Sequence, residues 1–133
     1  EVVKKRGKVN IEDVILARGP YSPKQTMGII GRFDMFVTGR IHAFVAAVSQ
    51  KVPTVIINRG HGGRAHRNIG FAQSVGMEDY ISDPASIEDM KNKIKKCWQN
   101  REKIRKELED RIPIVKEMAK MMFDTLKEAV KGR

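Results

Sequence analysis

An arginine and a histidine lie two positions apart in the segment Thr38-Gly39-Arg40-Ile41-His42. The planar guanidinium of arginine pairs with a carboxylate or phosphate through two parallel hydrogen bonds. Histidine donates or accepts a proton near neutral pH, and a helix starting near Arg40 would add free N–H groups that favour an anion. The spacing makes Arg40 and His42 candidate catalytic residues, one to hold an acidic substrate and the other to move a proton. The alternative is a surface arginine and a hydrogen-bonded histidine at an ordinary helix start.

A second basic cluster follows in the segment RGHGGRAHR, residues 59–67. Its glycines let the backbone approach a ligand closely, and its side chains supply positive charge and exchangeable protons. The segment contains neither the dinucleotide-binding glycine fingerprint nor the P-loop motif. A basic surface loop without a ligand is the alternative. The candidate substrate-binding residues are Arg40, Arg59, His61, Gly62, Gly63, Arg64 and His66.

Metal binding is a weaker interpretation of the same histidines. A zinc site on His61 and His66 would lack further ligands, because no Cys, Asp or Glu lies nearby in the sequence. Cys97 is the only cysteine, which excludes an internal disulfide and favours a reducing, cytoplasmic setting. The sequence therefore predicts no metal site.

Short apolar runs alternate with helical patterns, and this order predicts the elements that position the two clusters. Alternation of strands and helices predicts a parallel sheet in a doubly wound α/β layer with a helical C-terminal tail. Ligands bind at the carboxyl ends of such strands, so both clusters, and Tyr21 after the first strand, are expected at one edge. The predicted strands are 13–17, 35–37, 54–57 and an edge strand at 79–81, and the predicted helices are 23–32, 41–49, 65–75 and a helical stretch from Pro84 to the end, with Asp83 as its cap.

Apolar spacing within the helices predicts which faces are buried. Met27 and Ile30 are expected on the inner side of the first helix, and Gly76 is expected to close the third. Pro113 is expected to end or kink the final helix. The Met and Phe residues of the tail are interpreted as core or domain-packing contacts. Apolar faces are predicted for Ile87, Met90, Ile94 and Trp98, and for Ile114, Met118, Met122, Leu126 and Val130.

Charge is concentrated in the first half of this chain of 133 residues, whose formal net charge is +10. Residues 1–70 carry twelve Lys and Arg against four acidic residues, whereas the remainder is nearly balanced. Such an excess attracts phosphates, nucleic acid or an acidic membrane face. No apolar run approaches the roughly 18 residues that a membrane-spanning helix needs. The start lacks an initiator Met, so the chain is expected to be a piece of a longer protein.

The sequence resembles the C-terminal part of the polysaccharide pyruvyl transferase family over about residues 11–82. The R-x-H motif between an apolar strand and an apolar helix is moderately specific, and the other features are generic. The loop GHGGRAHRN departs from the family pattern, in which many members carry a Lys- or Tyr-bearing segment. The matching features are Asp34 before a strand, Arg40-Ile41-His42, the apolar helix from Ala43 to Val48, Val52-Pro53, and Val75-Gly76-Met77-Glu78-Asp79.

The resemblance implies an enzyme with two Rossmann-like domains, similar to GT-B glycosyltransferases, that makes cell-surface polysaccharide. Such enzymes move a pyruvyl group from phosphoenolpyruvate to a pair of sugar hydroxyls as a ketal, without a further cofactor. By this resemblance Arg40 binds the donor's carboxylate or phosphate, and His42 is catalytic. The partners implied are a small anionic donor, a saccharide acceptor and an N-terminal domain outside this chain.

The domain organisation implied is a Rossmann-like α/β domain at residues 1–110, followed by a C-terminal helix at 111–133. That helix is expected to pack on the same domain or on the N-terminal domain, and the fragment alone is expected to be inactive. A glycosyltransferase-like domain that binds a nucleotide sugar is the near alternative. A non-enzymatic module that binds anions or nucleic acid is less favoured, because few aromatic residues are available for stacking. A homo-oligomer formed through the C-terminal helices fits each alternative.

Overall fold

A three-stranded parallel sheet organises residues 11–59 and 63–132, the part of the chain described by this computed structural model. The strands are parallel and neighbour one another in the order β1-β2-β3. The α/β class, the small parallel sheet and the helical C-terminal tail are thus confirmed. The elements are α1 (Pro23–Ile30), β1 (Phe36–Thr38), α2 (Ile41–Ser49), β2 (Thr54–Ile57), α3 (Gly63–Val75), β3 (Ile81–Ser82), α4 (Ile87–Gln99) and α5 (Arg101–Lys131).

The central strand β2 is the most deeply buried strand of the sheet. Its residues Thr54, Val55 and Ile56 are fully buried, as expected for a strand that is covered on both faces. Phe36 of β1 lies opposite Thr54, and Ile81 of β3 lies opposite Ile56. Helices α2 and α4 contact β2, and α5 packs against α2 and α3. The predicted strand 54–57 is therefore confirmed, and β1 lies one residue later than predicted.

The helices on either side of the first strand, α1 and α2, begin at the predicted residues. Ser22 forms a capping box at α1: its Oγ accepts from the Gln25 N–H at 3.2 Å, and Gln25 Oε1 accepts from the Ser22 N–H at 2.9 Å. Helix α2 has the predicted bounds. Gly76 closes α3 as predicted and adopts a φ of 74°, a conformation that favours glycine. On α1, Ile30 is buried, but Met27 is 42% exposed.

The first predicted strand, residues 13–17, is wrong. Ile11–Asp13 forms a 3₁₀ turn, and residues 14–22 have no regular structure. The branched apolar residues there favour a strand, but a strand is stable only beside a neighbour. Neither β1 nor β3 pairs with this segment, and Ile15 remains 90% exposed.

The chain between β2 and α4 also differs from the prediction. Glu78–Tyr80 forms a 3₁₀ turn, and the edge strand is Ile81–Ser82. Asp83 does not cap α4, because its Oδ1 accepts from the Ala85 N–H at 2.9 Å and forms a local turn. The cap is Ser86, whose Oγ accepts from the Asp89 N–H at 3.1 Å. The helix therefore begins at Ile87, beyond Pro84.

The prediction of which residues of α4 face the core is only partly confirmed. Met90 and Ile94 are half-buried, but Ile87 and Trp98 are exposed. The Arg101 guanidinium lies 4.2 Å from the centre of the Trp98 ring, which places this indole in a surface cation–π contact. The fully buried residue of α4 is Cys97, which the spacing did not predict.

The thiol of Cys97 should be unreactive in the folded protein. Burial raises its pKa from 9.0 to about 12, so the reactive thiolate is suppressed. Labelling with the disulfide reagent DTNB at pH 8 should be at least about 100-fold slower in the native chain than in urea. Because the unfolded thiol ionises near its ordinary pKa and the folded one does not, stability should fall as the pH rises from 9.0 toward 12. Equal labelling rates in the native and unfolded chains would contradict this burial.

Helix α5 does not end at Pro113 but continues through it to Lys131. Before the proline, Ile104, Leu108 and Ile112 are buried in the core. Beyond it, the predicted stripe is exposed, including Met118 and Met122. Glu109, whose carbonyl loses its helical donor at the proline, is itself exposed, so water can replace that bond. The predicted division between residues 110 and 111 falls inside α5 and stays a prediction.

None of the described helices is both long enough and apolar enough to span a bilayer.

Candidate functional site

A cavity of about 510 Å³ opens beside the carboxyl ends of β1 and β2. We call it the arginine pocket. Its position agrees with the rule that ligands of parallel α/β sheets bind beyond the carboxyl ends of the strands. The arginine pocket is lined by Gly39, Arg40, Ile41, His42, Arg59, Arg67 and Asn68.

The turn after β1 places Arg40 and His42 at the pocket. Thr38 Oγ1 accepts from the Arg40 N–H at 3.1 Å, which fixes the turn between strand and helix. Arg40 has extended backbone and is the N-cap of α2, but its side chain makes no capping bond. Its guanidinium is therefore not used by its own helix. A Cβ at Gly39 would lie 3.3 Å from the Ile57 carbonyl oxygen, so glycine permits the close approach of the two strand ends.

The turn after β2 brings Arg59 to the same cavity. The Asn58 N–H donates to the Ser82 carbonyl at 3.1 Å, and the Arg59 N–H donates to the Ile57 carbonyl at 2.8 Å. On α3, Asn68 is 4% exposed, and its Nδ2 donates to Asn58 Oδ1 at 3.3 Å. This side-chain bond links the first turns of α3 to the end of β2. It also fixes the wall of the pocket next to Arg67.

The electrostatics of the pocket favour an anion. Of the residues that the structure describes, three arginines line it, and no Asp or Glu does. Among the described residues, Arg40, Arg59 and Arg67 take part in none of the ion pairs, which are formed by Lys96, Lys103 and Arg105 with acidic groups. Arginines without carboxylate partners in a concave site concentrate positive potential there. A ligand with two acidic groups could pair with more than one of them.

The structure brings together part of the predicted site. Arg40, His42 and Arg59 line one cavity, whereas the exposed His66 does not line it. Tyr21 lies in a different surface depression. Gly63 is the first residue of α3. His61, Gly62 and the side chain of Arg64 lie outside the described residues, so their predicted roles stay predictions.

Sequence reasoning missed the two asparagines beside the arginines. A signal for Asn68 was present, because residues 68, 72 and 75 have the spacing of one helical face, and Ala72 and Val75 are buried. A polar residue on such a face needs a partner. That partner, Asn58, could be identified only once the end of β2 was placed beside α3.

The described side chains at the arginine pocket are poor ligands for a metal ion. No group of three or more His, Cys, Asp and Glu side chains in the described ranges is placed to hold a metal ion. The zinc alternative relied on His61, which lies outside those ranges. The described donors at the pocket are guanidinium groups, one imidazole and one amide, and guanidinium cannot ligate a cation.

Comparison with known proteins supports the resemblance for one part of the chain. Residues 2–61 match the family model of polysaccharide pyruvyl transferase. No curated protein and no solved structure matches the chain. The matched range includes Arg40, His42 and Arg59, while Arg67 and Asn68 lie beyond it. The resemblance to polysaccharide pyruvyl transferases is thus confirmed for residues 2–61, the segment that supplies most of the arginine pocket.

Proposed function

We propose that the arginine pocket binds phosphoenolpyruvate as the donor of a pyruvyl group. The observation that carries this proposal is that Arg40, Arg59, Arg67 and His42 line one cavity, while no described Asp or Glu lines it or pairs with these arginines. Phosphoenolpyruvate carries a carboxylate and a phosphate close together, and bidentate pairing with arginine suits both groups. The family match over residues 2–61 supports the same donor class.

The proposed reaction forms a ketal from phosphoenolpyruvate and two hydroxyls of a saccharide. Protonation of the methylene carbon of the enol ether makes the adjacent carbon electrophilic. Each of the two sugar oxygens then forms a bond to that electrophilic carbon. The bond between the same carbon and the phosphate oxygen breaks. One hydroxyl proton is accounted for by the new methyl group and the other by the released phosphate, so the atoms and charges balance.

His42 is the proposed proton-transfer residue, and the arginines stabilise the anionic groups. The His42 side chain is exposed and lines the same cavity as Arg40. An imidazole can deliver a proton to carbon and recover one from a hydroxyl. Arginines that already face the phosphate stabilise the charge on the leaving group without reorganisation of solvent.

The complete enzyme in this proposal has a GT-B-like architecture of two domains, and a saccharide acceptor enters between them. This chain would supply the donor-binding side, so we expect it to bind phosphoenolpyruvate but not to transfer the pyruvyl group alone. The lone, buried Cys97 fits a reducing, cytoplasmic setting for the reaction.

Isothermal titration calorimetry with phosphoenolpyruvate tests the donor assignment. Arg40→Ala should weaken binding about tenfold or more, because one charge-assisted hydrogen bond contributes roughly 1.5–3 kcal/mol. Arg32→Ala is the matched control, since Arg32 is exposed and lies outside the arginine pocket. This substitution removes one positive charge, as Arg40→Ala does. It should bind phosphoenolpyruvate like the unchanged chain.

Two results would contradict the donor assignment. If Arg32→Ala and Arg40→Ala weaken binding equally, the effect comes from net charge and not from a site. If the chain binds a uridine diphosphate sugar and ignores phosphoenolpyruvate, the nucleotide-sugar transferase is the better assignment.

A further inference from the structure

A hydrogen bond between two asparagines joins the neighbours of two arginines of the arginine pocket. Asn58 directly precedes Arg59, and Asn68 directly follows Arg67. Asn68 Nδ2 donates to Asn58 Oδ1 at 3.3 Å across a separation of ten residues. We call this contact the asparagine bridge. Because it joins the end of β2 to α3, it limits how far apart the backbones at Arg59 and Arg67 can move.

The end of β2 is the fixed side of the asparagine bridge. The Asn58 N–H donates to the Ser82 carbonyl at 3.1 Å, which continues the pairing of β2 with β3 by one residue. The Arg59 N–H donates to the Ile57 carbonyl at 2.8 Å, so the backbone at this arginine is held as well. The asparagine bridge therefore ties α3 to a segment that already belongs to the sheet.

The first turns of α3 depend on the asparagine bridge for their position. Among the residues of α3 whose burial is described, Asn68 is the first buried one, since Ala65 is half-buried and Arg67 is exposed. The buried apolar residues Ala72 and Val75 follow Asn68 by about one and two helical turns. Asn68 is thus the buried contact nearest to Arg67, and it is a polar one.

The asparagine bridge contributes more to position than to stability. The net contribution of a neutral hydrogen bond to the stability of a fold is small, and replacing both partners by apolar groups of the same shape can be neutral or stabilising. A hydrogen bond restricts both the distance and the angle between its groups, whereas an apolar contact is non-directional. The amide pair therefore favours one placement of α3 beside β2.

A fixed placement matters most for a ligand that must meet two arginines at once. Arg59 and Arg67 are both exposed, and a ligand that orders such long side chains binds less tightly. A ligand with one anionic group can pair with either arginine alone, whereas two groups on one small molecule need both arginines at a matching separation. We propose that the asparagine bridge makes the arginine pocket selective for a ligand with two anionic groups, an inference that rests on the proposed function.

Nuclear magnetic resonance titration of the ¹⁵N-labelled chain tests this selectivity. The probes are phosphoenolpyruvate, 2-phosphoglycolate, which also carries a carboxylate and a phosphate, and inorganic phosphate. Asn58→Leu/Asn68→Leu should weaken binding of the first two about fivefold or more and binding of inorganic phosphate less than about twofold. Its midpoint of unfolding in urea should not fall. A merely structural role would instead lower the stability and all three affinities together.

A single variant separates positioning from direct contact with the ligand. Asn68 lines the arginine pocket, but Asn58 does not. Asn58→Ala removes the acceptor of the asparagine bridge and no group of the pocket, so it should cause the same loss of selectivity, even if the double variant does not fold. Gln73→Leu is the matched control, because Gln73 is an exposed amide on α3 that does not line the pocket. It should leave the ratio of the affinities unchanged.

The three probes distinguish failure of the asparagine bridge from failure of the donor assignment. If the unchanged chain and Asn58→Ala prefer phosphoenolpyruvate over inorganic phosphate to the same degree, the role of the bridge is wrong and the donor assignment stands. If the chain prefers 2-phosphoglycolate, does not bind phosphoenolpyruvate, and loses that preference in Asn58→Ala, the donor assignment is wrong while the bridge is supported. If neither organic phosphate is preferred over inorganic phosphate, the proposed selectivity is overturned.

Discussion

Replacing Arg40 and Arg67 together by alanine should reduce the affinity for phosphoenolpyruvate by about 100-fold or more. This estimate takes the loss of each side chain to cost at least roughly 1.5 kcal/mol of binding free energy. Both side chains line the arginine pocket, and neither has an acidic partner among the described residues. Calorimetry on the double variant and on both single variants would measure the loss. Because the two groups contact one ligand, their combined effect need not equal the sum of the single effects.

The control for this double variant removes two charges elsewhere. Lys95→Ala/Lys106→Ala alters exposed helical positions and gives the same net charge. It should retain most of the affinity at moderate salt, because screening weakens the attraction of distant exposed charges. A loss equal to that of Arg40→Ala/Arg67→Ala would mean that phosphoenolpyruvate responds to the overall charge of the chain.

Phe44→Ala should destabilise the fold by about 3–5 kcal/mol, a large fraction of the stability of a domain of this size. Phe44 is fully buried, and its ring lies edge-on to Phe71 with a centroid distance of 5.1 Å. The contact joins α2, which follows Arg40, to α3, which carries Arg67. Equilibrium unfolding in urea, followed by circular dichroism, would measure the change.

Val45→Ala is the matched control on the same helix. Val45 is 39% exposed, so its truncation should cost about 1 kcal/mol or less. Similar losses for Phe44→Ala and Val45→Ala would contradict the placement of Phe44 in the core. Because Phe44 also links the helices that carry the arginines, Phe44→Ala should weaken phosphoenolpyruvate binding, though less than loss of Arg40.

The sequence predicted the site residues near the strands better than those on the next helix. Arg40 and Arg59 directly follow predicted strands, so the rule about carboxyl ends placed them at one edge. Asn58 and Asn68 are ten residues apart, and their contact depends on how α3 packs against the sheet. Neither the periodicity nor the composition of the sequence predicts the angle at which α3 packs against the sheet. His66 shows the converse case, because it adjoins Arg67 in the sequence but does not line the same cavity.

The errors in the fold have a similar origin. Residues 13–17 have the composition of a strand, yet they lack a neighbour to pair with. Asp83 and Pro84 have the composition of a helix start, yet the turn that they form delays α4 until Ile87. Trp98 was expected inside because of its helical spacing from Met90 and Ile94, whereas the adjacent Cys97 occupies the buried position. Local preference suggested a structure for each of these segments, and tertiary contacts decided which structure formed.

The length of α5 determines how the protein rotates in solution. A helix of 31 residues is about 46 Å long at 1.5 Å per residue, whereas the radius of gyration expected for a compact domain of about 110 residues is only about 13 Å. The exposed half of α5 therefore projects well beyond the sheet. The molecule should tumble anisotropically, more slowly about axes perpendicular to α5 than about α5 itself. A hydrodynamic radius interpreted as that of a sphere would then overestimate the mass of a single chain and mimic a dimer.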